Sequence, residues 1–272
     1  MLLKIARRMG LVKWPPYMGQ LLPSPRAANG AAKSQANTVQ RVKGALLHEV
    51  AHLIPGRPTE PLLEAIYVAY KRRGLSGDYA EFGVFTGRST VRAYHYLRGA
   101  RGETPTRMFA YDSFEGLPNL GAADSVRYAD FDAGSYSCSE ADYLQNVTSF
   151  GVPPSWIHTV PGWFSATCNA ETARRVGLGR IAVAHVDCDI LSSTLDVLRF
   201  LGDAMEDGGI VVFDDYGSYR AHPQLGQRGA LAKFQSERPD LWISSVSGQG
   251  GASASFSMHK KLSEAEVAAM TT

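Results

Sequence analysis

Five short apolar runs, each closing on or leading into glycine or an acid, constrain this chain more than any other feature. They are YAEFGVF (79–85), RMFAYD (107–112), IHTV (157–160), IAVAHVD (181–187) and GIVVFDD (209–215). Runs of this length, rich in Val, Ile and Phe and lacking a polar alternate face, are what buried parallel strands look like. Between the fourth and fifth, TLDVLRFLGDAM (194–205) has helical spacing and makes a β-α-β unit. Near the end, LWISSVS and ASFSMHKK read as a late strand pair joined by GQGGAS. The pattern predicts an α/β fold over about residues 58–262: a Rossmann-like, doubly wound, mostly parallel seven-stranded sheet with helices on both faces. In such sheets a ligand lies outside the carboxyl ends of the strands, near the point where strand order reverses. Function is therefore sought in the residues that follow each strand.

The first run leads through Glu81, Gly83, Val84 and Gly87 to Ser89 and Thr90. The two glycines allow a close turn, and Ser89 and Thr90 suit the start of a helix. The spacing G-x-x-x-G departs from the dinucleotide pattern G-x-G-x-x-G, and a carboxylate at Glu81 would repel a phosphate. It suits an ammonium group instead, such as the amino acid end of S-adenosylmethionine; an ordinary turn is the plain alternative. The second run ends on Asp112, in YDSFEGLP. An acid there commonly takes the ribose hydroxyls of an adenosine cofactor, and turn capping is the alternative. The third run leads into Gly162 and Trp163, whose indole either covers an adenine face or packs in the core.

The fourth run ends in Asp187-Cys188-Asp189 and the fifth in Asp214-Asp215. Four carboxylates at neighbouring strand ends repel one another in a partly buried crevice. A hard divalent cation held through oxygen relieves that repulsion, and Mg²⁺ is the first candidate. Helix capping explains one of these acids at a time, not the cluster.

Taken together and in this order, EFGVFTG, YDSFEGLP, GWF, HVDCDILSST and VVFDDYG resemble the macrocin O-methyltransferase family over roughly residues 58–260. Family members are class I, S-adenosylmethionine-dependent enzymes that methylate sugar hydroxyls on natural products. The resemblance implies the class I methyltransferase fold, S-adenosylmethionine and Mg²⁺ as cofactors, and a small sugar-containing acceptor. It implies that Asp187, Asp214 and Asp215 hold the metal. It implies a cofactor whose methionine end lies over Gly83, Val84 and Gly87, with Ser89 alongside and Glu81 near the amine. Asp112 and Ser113 would then hold the ribose, with Gly162 and Trp163 beside the base. Asp187 is expected to accept the acceptor's proton, with help from His185 two residues earlier on the same strand face. A core histidine with satisfied hydrogen bonds is the alternative. From Gly121 to Tyr143 a polar stretch carrying Tyr128, Phe131 and Tyr136 reads as a lid over the substrate.

Residues 1–57 fall outside the resemblance and read as a basic N-terminal extension with helical segments, ahead of a methyltransferase domain at 58–272. Before Glu49 there are eight basic residues and no acidic one. Such an arm suits a peripheral contact with an anionic membrane surface, a neighbouring subunit in a homo-oligomer, or an acidic partner; a solvated tail is the alternative. The net charge of +2 is too small to imply nucleic acid. No apolar run approaches the roughly 18 residues of a spanning helix, and MLLKIARRMGLVKW lacks the apolar centre and cleavage site of a secretory signal. Three cysteines without a C-x-x-C pair fit a reducing, cytoplasmic setting.

Residues 15–37 read as an irregular connection, followed by helices over Thr38–Leu53 and Glu60–Arg73. Within the first helix, ALLHEVAHLIPG contains His48, Glu49 and His52 in the H-E-x-x-H spacing of zinc hydrolases. A zinc site needs a third ligand. No histidine follows in LIPGRP, and Pro55, Pro58 and Pro61 interrupt any longer helix. The motif is read as accidental. A zinc metallopeptidase and a non-catalytic interaction protein on a methyltransferase fold remain as alternatives.

Overall fold

The computed structural model describes residues 61–101, 106–122, 124–125, 131–247 and 252–270. The irregular stretch, the Thr38–Leu53 helix, the basic arm, the H-E-x-x-H motif, the boundary at 57/58 and Tyr128 lie outside the described residues.

Seven strands form one sheet in the order β3-β2-β1-β4-β5-β7-β6. They are β1 (Asp78–Phe82), β2 (Met108–Asp112), β3 (Ile157–Pro161), β4 (Ile181–Val186), β5 (Met205–Phe213), β6 (Leu241–Ser247) and β7 (Ala254–Lys260). The first five pair in parallel, whereas β7 runs antiparallel to both of its neighbours. The reversal has a simple cause: the connection between β6 and β7 is too short for the crossover that a parallel pair requires. Strand order reverses between β1 and β4, which opens the crevice there. Register keeps the strand ends level, since Tyr111 pairs with Phe82, Phe82 with Val186 and Val186 with Phe213. Gly83, Asp112, Asp187 and Asp214 follow those positions and meet along one edge.

Helices cover both faces. On one side lie α1 (Pro61–Ile66, continued by a wider π-type turn over Tyr67–Arg72), α2 (Arg88–Arg101) and α3 (Glu140–Ser149). They bury Leu62, Leu97, Tyr143 and Val147 against Tyr79, Met108, Val183 and Val212. On the other lie α4 (Phe164–Thr167), α5 (Ala170–Val176), α6 (Leu191–Ala204) and α7 (Gly226–Glu237). There Leu198, Leu201, Leu231 and Phe234 pack on Phe82, Tyr111, Val186 and Phe213. Each such side chain contributes roughly 1.5–3 kcal/mol by leaving water. Strand alternation sends Phe82 to one face and Glu81 to the other, so an acid enters the otherwise apolar layer beneath α2.

A short α8 (Glu264–Met270) ends the described chain. No helix among the described residues is long and apolar enough to cross a membrane. The polar stretch expected to run to Tyr143 ends earlier. Ser139 caps α3 by accepting a hydrogen bond from the Asp142 amide, with Glu140 and Asp142 in the first turn. Tyr143 is buried on that helix, and its hydroxyl donates to Thr90 Oγ1 at 3.3 Å.

Candidate active site

At the carboxyl edge of the parallel strands lies a cleft of about 460 Å³, lined by the turn after β1, the segments after β2 and β3, and the ends of β4 and β5. That size is in the range of small-molecule sites. Of the residues expected at a cofactor, Gly83, Asp112, Ser113 and Trp163 line it. Gly83 has φ +88°, and a Cβ there would lie 1.8 Å from the Asp187 carbonyl oxygen. The β1 turn is thus pressed directly against the end of β4, a contact open only to glycine. Asp112 Oδ2 accepts the Val84 amide at 2.7 Å, and Oδ1 accepts the Phe114 amide at 2.7 Å. These bonds orient the carboxylate and leave acceptor capacity on both oxygens. Trp163 is partly exposed on the cleft wall, after a Gly162 whose amide donates to the Asp112 carbonyl at 2.9 Å.

Glu81, Val84, Gly87 and Ser89 do not line the cleft. Glu81 is 1% exposed, and its carboxylate accepts hydrogen bonds from Ser89, from Thr90 at 2.7 Å and from Tyr79 at 3.3 Å. His185 Nδ1 is also 3.3 Å away. The carboxylate expected near an amine instead ties the start of α2 to β1. Gly87 (φ +82°) packs under α3, where a Cβ would meet Val147 at 2.4 Å.

Asp187, Asp214 and Asp215 each offer an oxygen within 4.8 Å of the other two. Burial and the charge of Asp214 hold the Asp187 carboxyl well above the usual carboxylate range. Burial and a hydrogen bond with Asp215 push Asp189 up to about 10. Asp214 moves the other way: its contact with His185, at 3.9 Å from Nε2, lowers its pKa against the effect of burial. Burial would push the His185 imidazolium down. Its bonds to Asp214 and Glu81 and the charge of Asp187 overcome that and hold it at about 10. Among the described residues no Lys or Arg lines the cleft, although six carboxylates do: Asp112, Asp187, Asp189, Asp196, Asp214 and Asp215. Three converging hard oxygens with no cation among the cleft-lining side chains fit a divalent metal such as Mg²⁺.

Several residues here escaped the sequence reading. Phe85, at positive φ, meets Tyr136 edge to face at 5.7 Å on the rim, where Tyr136 and the neighbouring Phe131 belong to the stretch read as a lid. Asp124 is 2% exposed and accepts the Leu191 and Ser192 amides at 2.8 and 3.3 Å, capping α6 from a distant segment. Gln227 is buried between the ends of β4 and β5. Only an acid within a polar stretch or a glutamine after a glycine marks them in the sequence.

Strand order, the reversed β7 and a crevice at the switch point define the class I methyltransferase fold. Two solved structures share it: the O-methyltransferase NovP, at 19% identity and a TM-score of 0.57, covering 74% of this chain and 78% of that one; and CalS11, a calicheamicin methyltransferase, at 20% and 0.58, covering 85% and 94%. The chain belongs to the macrocin O-methyltransferase family, whose profile matches residues 20–238. Among curated relatives, the 8-demethyl-8-(2,3-dimethoxy-alpha-L-rhamnosyl)-tetracenomycin-C 4'-O-methyltransferase of Streptomyces olivaceus is 31% identical over 171 residues, 61% of this chain and 63% of the relative. The mycinamicin III 3''-O-methyltransferase of Micromonospora griseorubida is 27% identical over 173 residues, 61% and 66%. The matched segment spans less than two thirds of the length of either.

Proposed function

We propose that this chain is an S-adenosylmethionine-dependent, Mg²⁺-assisted O-methyltransferase acting on a sugar hydroxyl of a glycosylated natural product. The observation that carries the reading is one cleft joining Asp112, at the end of β2, to the Asp187–Asp214–Asp215 cluster. Family membership and the activities of the relatives support it. When bound, the cofactor supplies a methyl group on a sulfonium, and the metal supplies a Lewis-acidic charge for substrate oxygens. Asp187, Asp214 and Asp215 hold the metal. Asp112 accepts the ribose hydroxyls, its direction preset by the Val84 and Phe114 amides. Glu81 keeps the glycine turn in place through Ser89 and Thr90 rather than touching the cofactor.

The proton-accepting role, expected on Asp187, is better assigned to Asp189. Asp187 would be a ligand in this arrangement, whereas Asp189 lines the cleft outside the three-acid set. A divalent charge held by its neighbours would offset the burial and like charge that otherwise keep the Asp189 carboxyl protonated at neutral pH. With the cofactor bound, Asp189 would take up the proton of the acceptor hydroxyl that receives the methyl group. His185 holds Asp214 from beneath and is not required to move a proton.

The test is calorimetric titration with S-adenosylmethionine and S-adenosylhomocysteine, with and without Mg²⁺, on wild type and Asp112→Ala. Micromolar binding that the variant loses is the expected result. No binding by wild type under any condition overturns the reading. The metallopeptidase alternative is not favoured, because the family match runs through His48, Glu49 and His52.

A further inference from the structure

Beyond the paired residues of β4 and β5, beside the crevice that opens between β1 and β4, one further rung joins the two strands. The Asp214 amide donates to the Val186 carbonyl at 3.1 Å, as a strand continuation would. The next rung has no backbone partner. The Gln227 side chain supplies it: Oε1 accepts the Asp215 amide at 2.9 Å, and Nε2 donates to the Val186 carbonyl at 2.9 Å. These two partners fix which end of the amide is oxygen. Gln227 is 1% exposed and stands second in α7. Gly226 seats that helix start so closely beneath Tyr219 that a Cβ would lie 2.5 Å from its ring.

We infer that Gln227 is a positioning residue for the metal site, its side-chain amide acting as a surrogate peptide unit that sets the spacing of Asp187 from Asp214 and Asp215. Val186 precedes Asp187 directly, so one side chain grips the backbone on both sides of the three-acid set. Gln227 touches no reacting atom and offers the cation no ligand. Its effect is on how far the carboxylates must move to converge. This inference rests on the reading of those three acids as metal ligands.

The test is a Mn²⁺ titration of the full chain followed by electron paramagnetic resonance, which reads bound against free cation without any turnover. Gln227→Met, nearly the same shape but unable to bridge, is expected to weaken Mn²⁺ binding roughly ten- to a hundredfold, the range typical of outer-shell partners. Leu231→Ala, which opens a cavity further along α7, lowers thermal stability and leaves Mn²⁺ affinity within about twofold of wild type. A loss of affinity seen only in the glutamine variant separates positioning from general destabilisation. Should Gln227→Met not fold, Gln227→Asn, too short to span both groups, takes its place with the same expected direction. Wild-type affinity in a folded Gln227 variant overturns the inference while leaving the metal site standing. Absence of stoichiometric Mn²⁺ binding by wild type overturns the metal site and this inference together.

Discussion

The two edges of the sheet handle charge in opposite ways. At the amino edge of the parallel strands each acid is answered. Asp78 takes Arg107 through two bonds of 3.0 and 2.7 Å and the Gly179 amide at 2.8 Å. Glu206 accepts the Ser76 and Gly77 amides, and Asp207 accepts the Lys260 amide at 2.9 Å. At the carboxyl edge, six carboxylates face a cleft that, among the described residues, no Lys or Arg lines. Fixed partners belong to an edge that only has to close the fold. Charge of one sign, answered here in part by the His185 imidazolium beneath Asp214, costs stability, and it persists where a ligand completes the site.

That contrast can be broken most sharply at Asp187. Asp187→Asn should lower kcat/KM on the order of 10³-fold, equivalent to about 4 kcal/mol of lost charge stabilisation. Its melting temperature should hold or rise, because a buried like charge is removed; a clear fall in the melting curve would place Asp187 with the structural acids. Next in size is metal addition. At a hundredfold excess over its Kd, Mg²⁺ should stabilise wild type by about 2.7 kcal/mol, read as a rise of several degrees in thermal denaturation. EDTA should reverse it, and Asp214→Asn/Asp215→Asn should show none. At the opposite edge, Asp78→Ala should cost about 1–3 kcal/mol, discounted because Arg107 is half exposed, with turnover per folded molecule unchanged. Urea unfolding beside a specific-activity assay checks both halves of that statement. Smallest of all, Glu206→Gln keeps an acceptor for the two amides and should cost under about 1 kcal/mol by the same urea measurement.

The fold was legible because it is local in origin: apolar runs report burial on both faces, and each strand-end acid follows its own run. Asp112, Asp187, Asp214 and Asp215 could be placed from neighbours in sequence. Glu81 shows where that logic stops. Its position at a strand end was visible, but alternation turns it under the sheet, where Thr90, Ser89 and Tyr79 had already taken its oxygens. Gln227 and Asp124 were beyond reach for another reason. Gln227 meets the Val186 carbonyl across 41 residues and Asp124 meets the Leu191 amide across 67, and a polar side chain announces nothing about a partner so distant. The end of the polar stretch at Ser139 is marked in the sequence itself, where a capping serine precedes Glu140 and Asp142 in the first turn of α3.

The Asp124 bond carries a consequence for how acceptor preference can diversify on this scaffold. The segment between β2 and α3 supplies Phe131 and Tyr136 to the rim, so it is the natural cassette to exchange between family members with different acceptors. Yet the same segment supplies the cap for α6, whose own preceding residue, Ile190, caps nothing. A transplanted cassette must therefore deliver a carboxylate to the head of that helix as well as a new set of rings, which couples recognition to scaffold integrity in a single stretch of chain.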